Sequence, residues 1–227
     1  MTINNVIAID GPSGSGKSTV SKLLAKRLSL VYIDTGAMYR AITWKIMENN
    51  IDQSNTEKLK DLINETLFEY QGEFLCMDGR ILGNEIRTAE IDQNVSKVSS
   101  DPNVRSFLAD QQIKIGSQTP SVIDGRDVGT VLFPDAVLKI YLTADVDTRA
   151  QRRYRQNCNN QINASSLDEI KKQIEYRDEC DSQRALSPLK KASDAVEIDT
   201  GRFTIEEVID RIQRLYEERM EQLCTMY

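Results

Sequence analysis

Apolar residues along this chain follow two patterns. Short apolar runs bounded by turn residues predict buried strands at Val6–Asp10, Leu30–Asp34, Ser121–Asp124, Ala136–Ala144 and Ala195–Thr200. Apolar positions spaced three or four apart predict helices at Ser18–Leu28, Met38–Met47, Val146–Gln156, Leu167–Asp181 and Ile205–Leu223. Strands that alternate with helices predict an α/β fold with a parallel sheet covered on both faces.

Two segments depart from this alternation, and capping boxes mark two predicted helix starts. The stretch LFEYQGEFLCMDGRILGNEIRT has three strand-like runs, which predict a small antiparallel insert at about 65–88. Capping boxes at Ser54–Glu57 and Thr204–Glu207 predict two helix starts. The polar, Asn-rich stretch between Gln156 and Ser166 lacks periodicity and predicts a mobile loop.

The composition is typical of a globular protein with one buried domain and a small inserted subdomain. The chain has 227 residues, of which 40% are hydrophobic and 28% charged. We expect no membrane span, because no apolar run approaches about 18 residues. The first residues lack a signal-peptide pattern, so we expect a cytoplasmic location. The net charge of -6 argues against general nucleic-acid binding.

Cysteine and histidine usage narrows the possible chemistry. The four cysteines are scattered without a C-x-x-C motif, which predicts reduced thiols; a metal or disulfide framework is the alternative. The chain has no histidine, which excludes a Ser–His or Cys–His nucleophile pair and a His-ligated metal. Catalysis would have to use carboxylates, Lys, Arg, backbone amides and a borrowed cation.

The stretch IAIDGPSGSGKST matches the phosphate-loop motif G-x-x-x-x-G-K-[ST] through Gly11, Gly16, Lys17 and Ser18. A predicted strand precedes it and a predicted helix follows, so backbone amides and the helix dipole would bind phosphates. Lys17 would reach the outer phosphates and Ser18 would hold Mg²⁺. A Gly/Ser-rich surface turn is the alternative, but the motif and its context favour a nucleoside-triphosphate site. The chain lacks the N-K-x-D motif that recognises guanine, which argues against a GTPase switch. Motor proteins usually need a larger chain.

Two further stretches follow predicted strands, IDTGAMYR at 33–40 and IDGRDVGTVLFPDA at 123–136. Ligands of parallel sheets bind beyond the carboxyl ends of the strands, so these stretches would face the phosphate loop. Either one alone is also compatible with an ordinary strand end that carries a surface charge. Together with the phosphate loop they favour a second ligand site.

Arginines form a third cluster. Arg149, Arg152, Arg153 and Arg155 lie in one predicted helix, and Arg177 and Arg184 follow the Asn-rich stretch. A solvated helix face is one interpretation; a lid that carries arginines onto transferring phosphates is the other. A phosphate-monoester acceptor has a second pKa of about 6 and needs no base. Such an acceptor and ATP are both negatively charged and repel each other. Lys and Arg, which this chain contains, would offset this repulsion together with Mg²⁺.

Four stretches, IAIDGPSGSGKST, YIDTGAMYR, VIDGRDVGTVLFPDA and RDECDSQR, together resemble the bacterial cytidylate kinases over essentially the whole chain. The resemblance implies a P-loop kinase fold with a five-stranded parallel sheet, a small antiparallel insert and a short lid. It implies phosphoryl transfer from ATP to CMP or dCMP, giving ADP and CDP or dCDP, in pyrimidine nucleotide metabolism. The implied divisions are core segments at 1–35, 106–149 and 166–227, a monophosphate-binding domain at 36–105 and a lid at 150–165.

The resemblance also implies residue roles. ATP would be bound by Gly11, Pro12, Ser13, Gly14, Ser15, Gly16, Lys17, Ser18 and Thr19. The acceptor phosphate would be bound by Arg40, Arg126 and Arg184, cytosine by Thr35, Arg105 and Asp127, and the sugar by Ser96, Arg177 and Asp181, with Tyr39 beside Arg40. Catalysis would depend on Lys17, Arg126, Arg184, Arg152 and Arg153. Family members often have Ser where this chain has Thr35, which keeps the hydroxyl group.

The expected partners are therefore ATP, CMP, dCMP and Mg²⁺, and we expect a monomer that binds neither nucleic acid nor membrane. Two alternatives remain at this point. One is a P-loop kinase for another small acceptor, such as UMP or a metabolite alcohol. The other is a nucleotide-sensing module that binds ATP without turning it over.

Overall fold

A computed structural model describes residues 5–159 and 166–225. The chain divides into two compact units, Met1–Tyr32 with Pro120–Tyr227, and Ile33–Thr119. The strands are β1 (Val6–Asp10), β2 (Val31–Asp34), β3 (Phe68–Gln71), β4 (Phe74–Met77), β5 (Arg80–Ile81), β6 (Ser121–Gly125), β7 (Leu138–Thr143) and β8 (Val196–Asp199). The helices are α1 (Lys17–Leu28), α2 (Thr35–Glu48), α3 (Thr56–Asn64), α4 (Ala89–Ser100), α5 (Pro102–Gly116), α6 (Val146–Asn159), α7 (Leu167–Gln183) and α8 (Ile205–Thr225).

A five-stranded parallel sheet has the strand order β2-β6-β1-β7-β8, which confirms the predicted α/β fold. Strand β1 reads VIAID, and all five of its residues are buried, as expected for a central strand covered on both faces. Its register places Val6 beside Ser121 of β6 and Ile7 beside Leu138 of β7. Apolar residues of α1 and α8, among them Leu24 and Ile212, pack with these strands in one core.

The second unit contains a small antiparallel sheet with the order β3-β4-β5, as the sequence predicts. Asp78 and Gly79 both have positive φ and form the two-residue connection between β4 and β5. Such a connection is favoured in tight hairpins because its twist matches that of the strands. Met38 and Ile42 of α2 lie in the apolar core of this unit.

The structure corrects one predicted helix start and confirms another. The cap of α3 is Asn55, whose side chain accepts from the Lys58 amide at 3.1 Å, whereas the Ser54 hydroxyl donates to Asp52 at 2.6 Å. The Ser54–Glu57 capping box was therefore wrong, because Asp52 engages the Ser54 side chain. The Thr204–Glu207 box is present, with Thr204 Oγ1 accepting from the Glu207 amide at 3.3 Å.

The stretch between Gln156 and Ser166 is also partly corrected. Helix α6 continues to Asn159, so the first residues of the predicted loop, 157–159, are helical. Residues 160–165, the rest of the predicted mobile loop, lie outside the described residues. Ser166 begins the next element, since it forms a capping box with Glu169 at the start of α7.

Cys76, Cys158, Cys180 and Cys224 are free thiols. In the part of the chain that the structure describes, no helix has the length and apolar character needed to cross a membrane.

Candidate active site

The phosphate loop connects the end of β1 at Asp10 to the start of α1 at Lys17. Gly11 has φ +149°, and a Cβ atom there would lie 2.0 Å from the Leu142 carbonyl oxygen, so no side chain fits. Gly16 precedes the helix in the left-handed conformation, with φ 89°. The first amide N–H groups of α1 and the positive end of its dipole therefore lie at the loop, where an anion would bind.

Lys17 is folded into this loop. Its Nζ atom donates to the Pro12 carbonyl at 2.7 Å and to Ser15 Oγ at 3.4 Å. Burial, and next the positive charge of Arg126, hold the pKa of the Lys17 ammonium well below its ordinary value. A phosphate oxygen beside Nζ would favour the charged form, so the charge of Lys17 is coupled to anion binding.

Ser18 is linked to Asp124, the fourth residue of β6. Its Oγ atom donates to Asp124 Oδ2 at 2.8 Å, and the Tyr32 hydroxyl donates to Asp124 Oδ1 at 3.2 Å. Hydroxyl and carboxylate oxygens are the ligands that Mg²⁺ prefers, so this pair fits a magnesium ion that arrives with a nucleotide. Sequence reasoning placed Asp124 in a stretch that faces the phosphate loop but gave it no role in the site.

Asp10 was also missed. This buried carboxylate accepts from the amides of Val128 at 2.9 Å and Gly129 at 2.8 Å. Burial raises its pKa to about 6, although both hydrogen bonds favour the charged form. The two amides begin the π-helical turn Val128–Leu132, which directly follows Arg126 and Asp127. Asp10 thus fixes the segment that carries these predicted site residues.

The structure brings four predicted substrate residues together around Asp181. Arg126 Nε donates to Asp181 Oδ2 at 2.8 Å, and Arg184 NH1 donates to Asp181 Oδ1 at 3.4 Å. Arg184 NH2 also lies 3.9 Å from Asp127 Oδ1. Burial raises the pKa of Asp181, but the charges of Arg126, Arg177 and Arg184 outweigh this effect and hold it below its ordinary value. The cluster therefore contains an ionised carboxylate that orients two guanidinium groups.

The arginines of α6 lie at different places. Arg152 donates from both terminal nitrogens to Thr200, to Oγ1 and to the carbonyl oxygen, each at 2.8 Å. Its NH1 atom would be 3.8 Å from a Cβ atom at Gly16, so it lies over the phosphate loop. Arg153 donates to Gln156 at 3.3 Å. Arg149 is buried and donates to the Ser13 carbonyl oxygen.

The other predicted substrate residues lie in the unit Ile33–Thr119. Thr35 is buried at the start of α2, and Ser96 is half-buried on α4. The Arg105 guanidinium lies 5.4 Å from the centre of the Tyr39 ring, and Arg105 NH1 donates to the Ser99 carbonyl at 3.1 Å. Arg40 forms an ion pair with Asp92. The structure thus brings Tyr39 and Arg105 together within this unit.

Comparison with known proteins decides the family. The cytidylate kinase family model matches residues 7–218. The chain belongs to the cytidylate kinase family. Among its relatives, a cytidylate kinase of Alkaliphilus oremlandii is 47% identical over 92% of this chain and 96% of its own length. A cytidylate kinase of Clostridioides difficile is 43% identical with the same coverage of both chains.

Solved structures include a shikimate kinase from Acinetobacter baumannii in complex with shikimate. It is 14% identical, covers 94% of this chain and 93% of its own, and has a TM-score of 0.45.

Proposed function

We propose that this member of the cytidylate kinase family transfers the γ-phosphoryl group of ATP to CMP or dCMP, giving ADP and CDP or dCDP. The observation that carries the proposal is the Arg126–Asp181–Arg184 cluster in the same unit as the phosphate loop. A kinase for phosphorylated acceptors needs two sets of phosphate ligands, one for each substrate. A module that only binds ATP has no need of the second set.

ATP is assigned to the residues of the phosphate loop, Gly11–Thr19. The fixed Lys17 ammonium would stabilise charge on the transferred phosphoryl group. Mg²⁺, which supplies neutralising charge on the phosphate oxygens, would be held by Ser18, and the adjacent Asp124 carboxylate supports this assignment. Arg152 and Arg153 are assigned to the transferring phosphates, as parts of a lid at 150–165.

The acceptor phosphate is assigned to Arg40, Arg126 and Arg184. A phosphate monoester has a second pKa of about 6, so near neutral pH it is mostly a dianion that can attack without a base. This is consistent with a chain that lacks histidine. The sugar is assigned to Ser96, Arg177 and Asp181.

Cytosine is assigned to Thr35, Arg105 and Asp127. An ionised Asp127 only accepts hydrogen bonds and Arg105 only donates them. Cytosine presents an amino donor beside a ring-nitrogen acceptor, whereas uracil presents the reverse. The pair therefore complements cytosine. With uracil it would place acceptor against acceptor and donor against donor.

We further propose that the protein works as a cytoplasmic monomer in pyrimidine nucleotide metabolism, without nucleic-acid or membrane partners. We retain a monophosphate-binding domain at 36–105 between core segments at 1–35, 106–149 and 166–227.

The test is a coupled ADP-release assay with MgATP and a panel of CMP, dCMP, UMP and alcohol acceptors. We expect kcat/KM for CMP to exceed that for UMP by about 10²-fold or more, because a site built for hydrogen bonds rejects analogues that leave its groups unpaired. Asp127→Asn should narrow this ratio, since an amide can also donate. Equal use of CMP and UMP would contradict the base assignment, and ATP binding without acceptor-dependent ADP release would indicate a nucleotide-sensing module.

A further inference from the structure

Both backbone polar groups of Ser13, in the middle of the phosphate loop, are bound by distant helices. The Ser13 amide donates to Asp178 Oδ1 of α7 at 2.9 Å. The Ser13 carbonyl oxygen accepts from Arg149 NH1 of α6 at 2.9 Å. The same guanidinium nitrogen forms an ion pair with Asp178 Oδ2. Asp178, Arg149 and Ser13 therefore form a closed ring of hydrogen bonds, which we call the Ser13 clamp.

The clamp is fixed from its far side as well. Arg149 Nε donates to the Ala144 carbonyl at 3.0 Å, so the guanidinium group cannot turn without losing a further bond. Gly14 packs directly on this residue, since a Cβ atom there would lie 3.1 Å from Arg149 Cβ. The loop thus contacts both the stem and the head group of Arg149.

The charge balance of the clamp explains how a carboxylate is tolerated beside a phosphate-binding loop. An unpaired carboxylate would repel the phosphates of a nucleotide. Here the Asp178 charge is offset by Arg149, and the two side chains are 18% and 10% exposed, so solvent screens the pair only weakly. Both Asp178 oxygens are already engaged, one by the Ser13 amide and one by Arg149. Asp178 therefore supports the conformation of the loop and does not occupy the place of a phosphate group.

We propose that Asp178 is a positioning residue for ATP, which acts through Arg149 and the Ser13 peptide to keep the phosphate loop in its binding conformation. The proposal rests on the proposed function, in that ATP is the ligand of the loop. Because the loop is shaped before the nucleotide arrives, less of the binding free energy is spent on ordering it. Loss of the clamp should therefore weaken nucleotide affinity more than it weakens the use of the acceptor.

The experiment measures binding of adenylyl imidodiphosphate, a non-hydrolysable ATP analogue, to the whole chain by titration calorimetry, together with kcat and both KM values. We expect Asp178→Ala to weaken analogue affinity by about 10- to 100-fold, the range for loss of hydrogen bonds to a charged group. KM for CMP should stay within about threefold. Asp178→Asn keeps an acceptor for the Ser13 amide and should fall between Asp178→Ala and the unmodified protein.

Two comparisons make the test specific. Glu175→Ala removes an exposed carboxylate from the same helix and should leave analogue affinity unchanged. The double variant Arg149→Ala with Asp178→Ala should lose less affinity than the product of the two single losses, because both remove one clamp. If Asp178→Ala does not fold, the intermediate affinity of Asp178→Asn still tests the proposal.

Tighter analogue binding by Asp178→Ala would overturn the proposal, because the carboxylate would then compete with phosphate. Unchanged analogue affinity would overturn it as well. So would equal increases in KM for ATP and for CMP together with a lowered Tm. If the unmodified protein does not phosphorylate CMP but Asp178→Ala still lowers the affinity for the analogue, the proposed function fails and the role of Asp178 stands.

Discussion

Single residues of the phosphate loop are held by contacts that local sequence does not reveal. Lys17 bonds within the loop itself, at a distance of two and five residues along the chain. Ser18 is bound to Asp124, which lies 106 residues away, and the Ser13 amide is bound to Asp178, 165 residues away. The motif therefore predicts the loop and its lysine, whereas the residues that support the loop become visible only in the structure.

Lys17→Ala should lower kcat by about 10²-fold or more, because the transition state loses a fixed positive charge. The variant should remain folded, since burial of the Lys17 ammonium disfavours its charged form and removing it relieves that cost. Steady-state kinetics and thermal unfolding measure the two effects separately. Lys26→Ala, an exposed lysine in the last turn of the same helix, is the matched control. A folded Lys17→Ala protein with near-normal kcat would refute the role of the lysine.

At the scale of elements, the small antiparallel sheet is joined to the start of α2 by one side chain. The Tyr70 hydroxyl of β3 accepts from the Asp34 amide and donates to the Asp34 carbonyl oxygen, both at 3.1 Å. The Asp34 side chain in turn accepts from the Ala37 amide at 2.9 Å and caps α2. The insert thus fixes the turn that presents Thr35.

Tyr70→Phe removes only the hydroxyl group and should raise KM for CMP by about 2- to 10-fold, the effect of one or two lost hydrogen bonds. KM for ATP should remain within about twofold, because the phosphate loop belongs to the other unit. Tyr216→Phe, which removes a hydroxyl that donates to Asn5 Oδ1 at 2.9 Å in the other unit, is the matched control. Parallel increases of both KM values would show that Tyr70 serves general stability instead of the start of α2.

The predictability of elements follows the strength of their local signals. The central strands were predicted because a strand buried on both faces must be continuously apolar, as VIAID is. Helices α4 and α5 had no prediction, although Thr88 caps the first and Asp101 with Pro102 begins the second. The start of α3 was misplaced by one residue because Ser54 and Asn55 are both good caps, and only the contact with Asp52 separates them.

At the scale of the whole molecule, Asp10 links stability to pH. Its pKa is raised from an ordinary 3.8 to about 6, so folding favours the protonated form. Its stabilising contribution is therefore fully present below pH 3.8 and is lost as the pH rises through about 6. The lost contribution amounts to about 3 kcal/mol, because raising the Asp10 pKa from 3.8 to about 6 corresponds to that difference in free energy between its protonated and ionised forms.

Urea unfolding of the unmodified protein and Asp10→Asn between pH 4 and 7 measures this linkage. The free energy of unfolding of the unmodified protein, minus that of the variant, should decrease as the pH rises, because only the carboxylate titrates. Asp135→Asn changes an exposed carboxylate and should leave the pH profile nearly unchanged. A difference that stays constant, or grows with pH, would show that the Asp10 pKa is not raised.

The strand order β2-β6-β1-β7-β8 also has a consequence for synthesis on the ribosome. Strand β1 leaves the ribosome before its neighbours β6 and β7, which end only at Gly125 and Thr143. The nascent phosphate loop therefore follows a strand that has no partner strand until β6 has been translated. The contiguous unit Ile33–Thr119 is complete before then and can fold first. Nucleotide binding thus depends on strands that the ribosome makes only after the unit Ile33–Thr119 is complete.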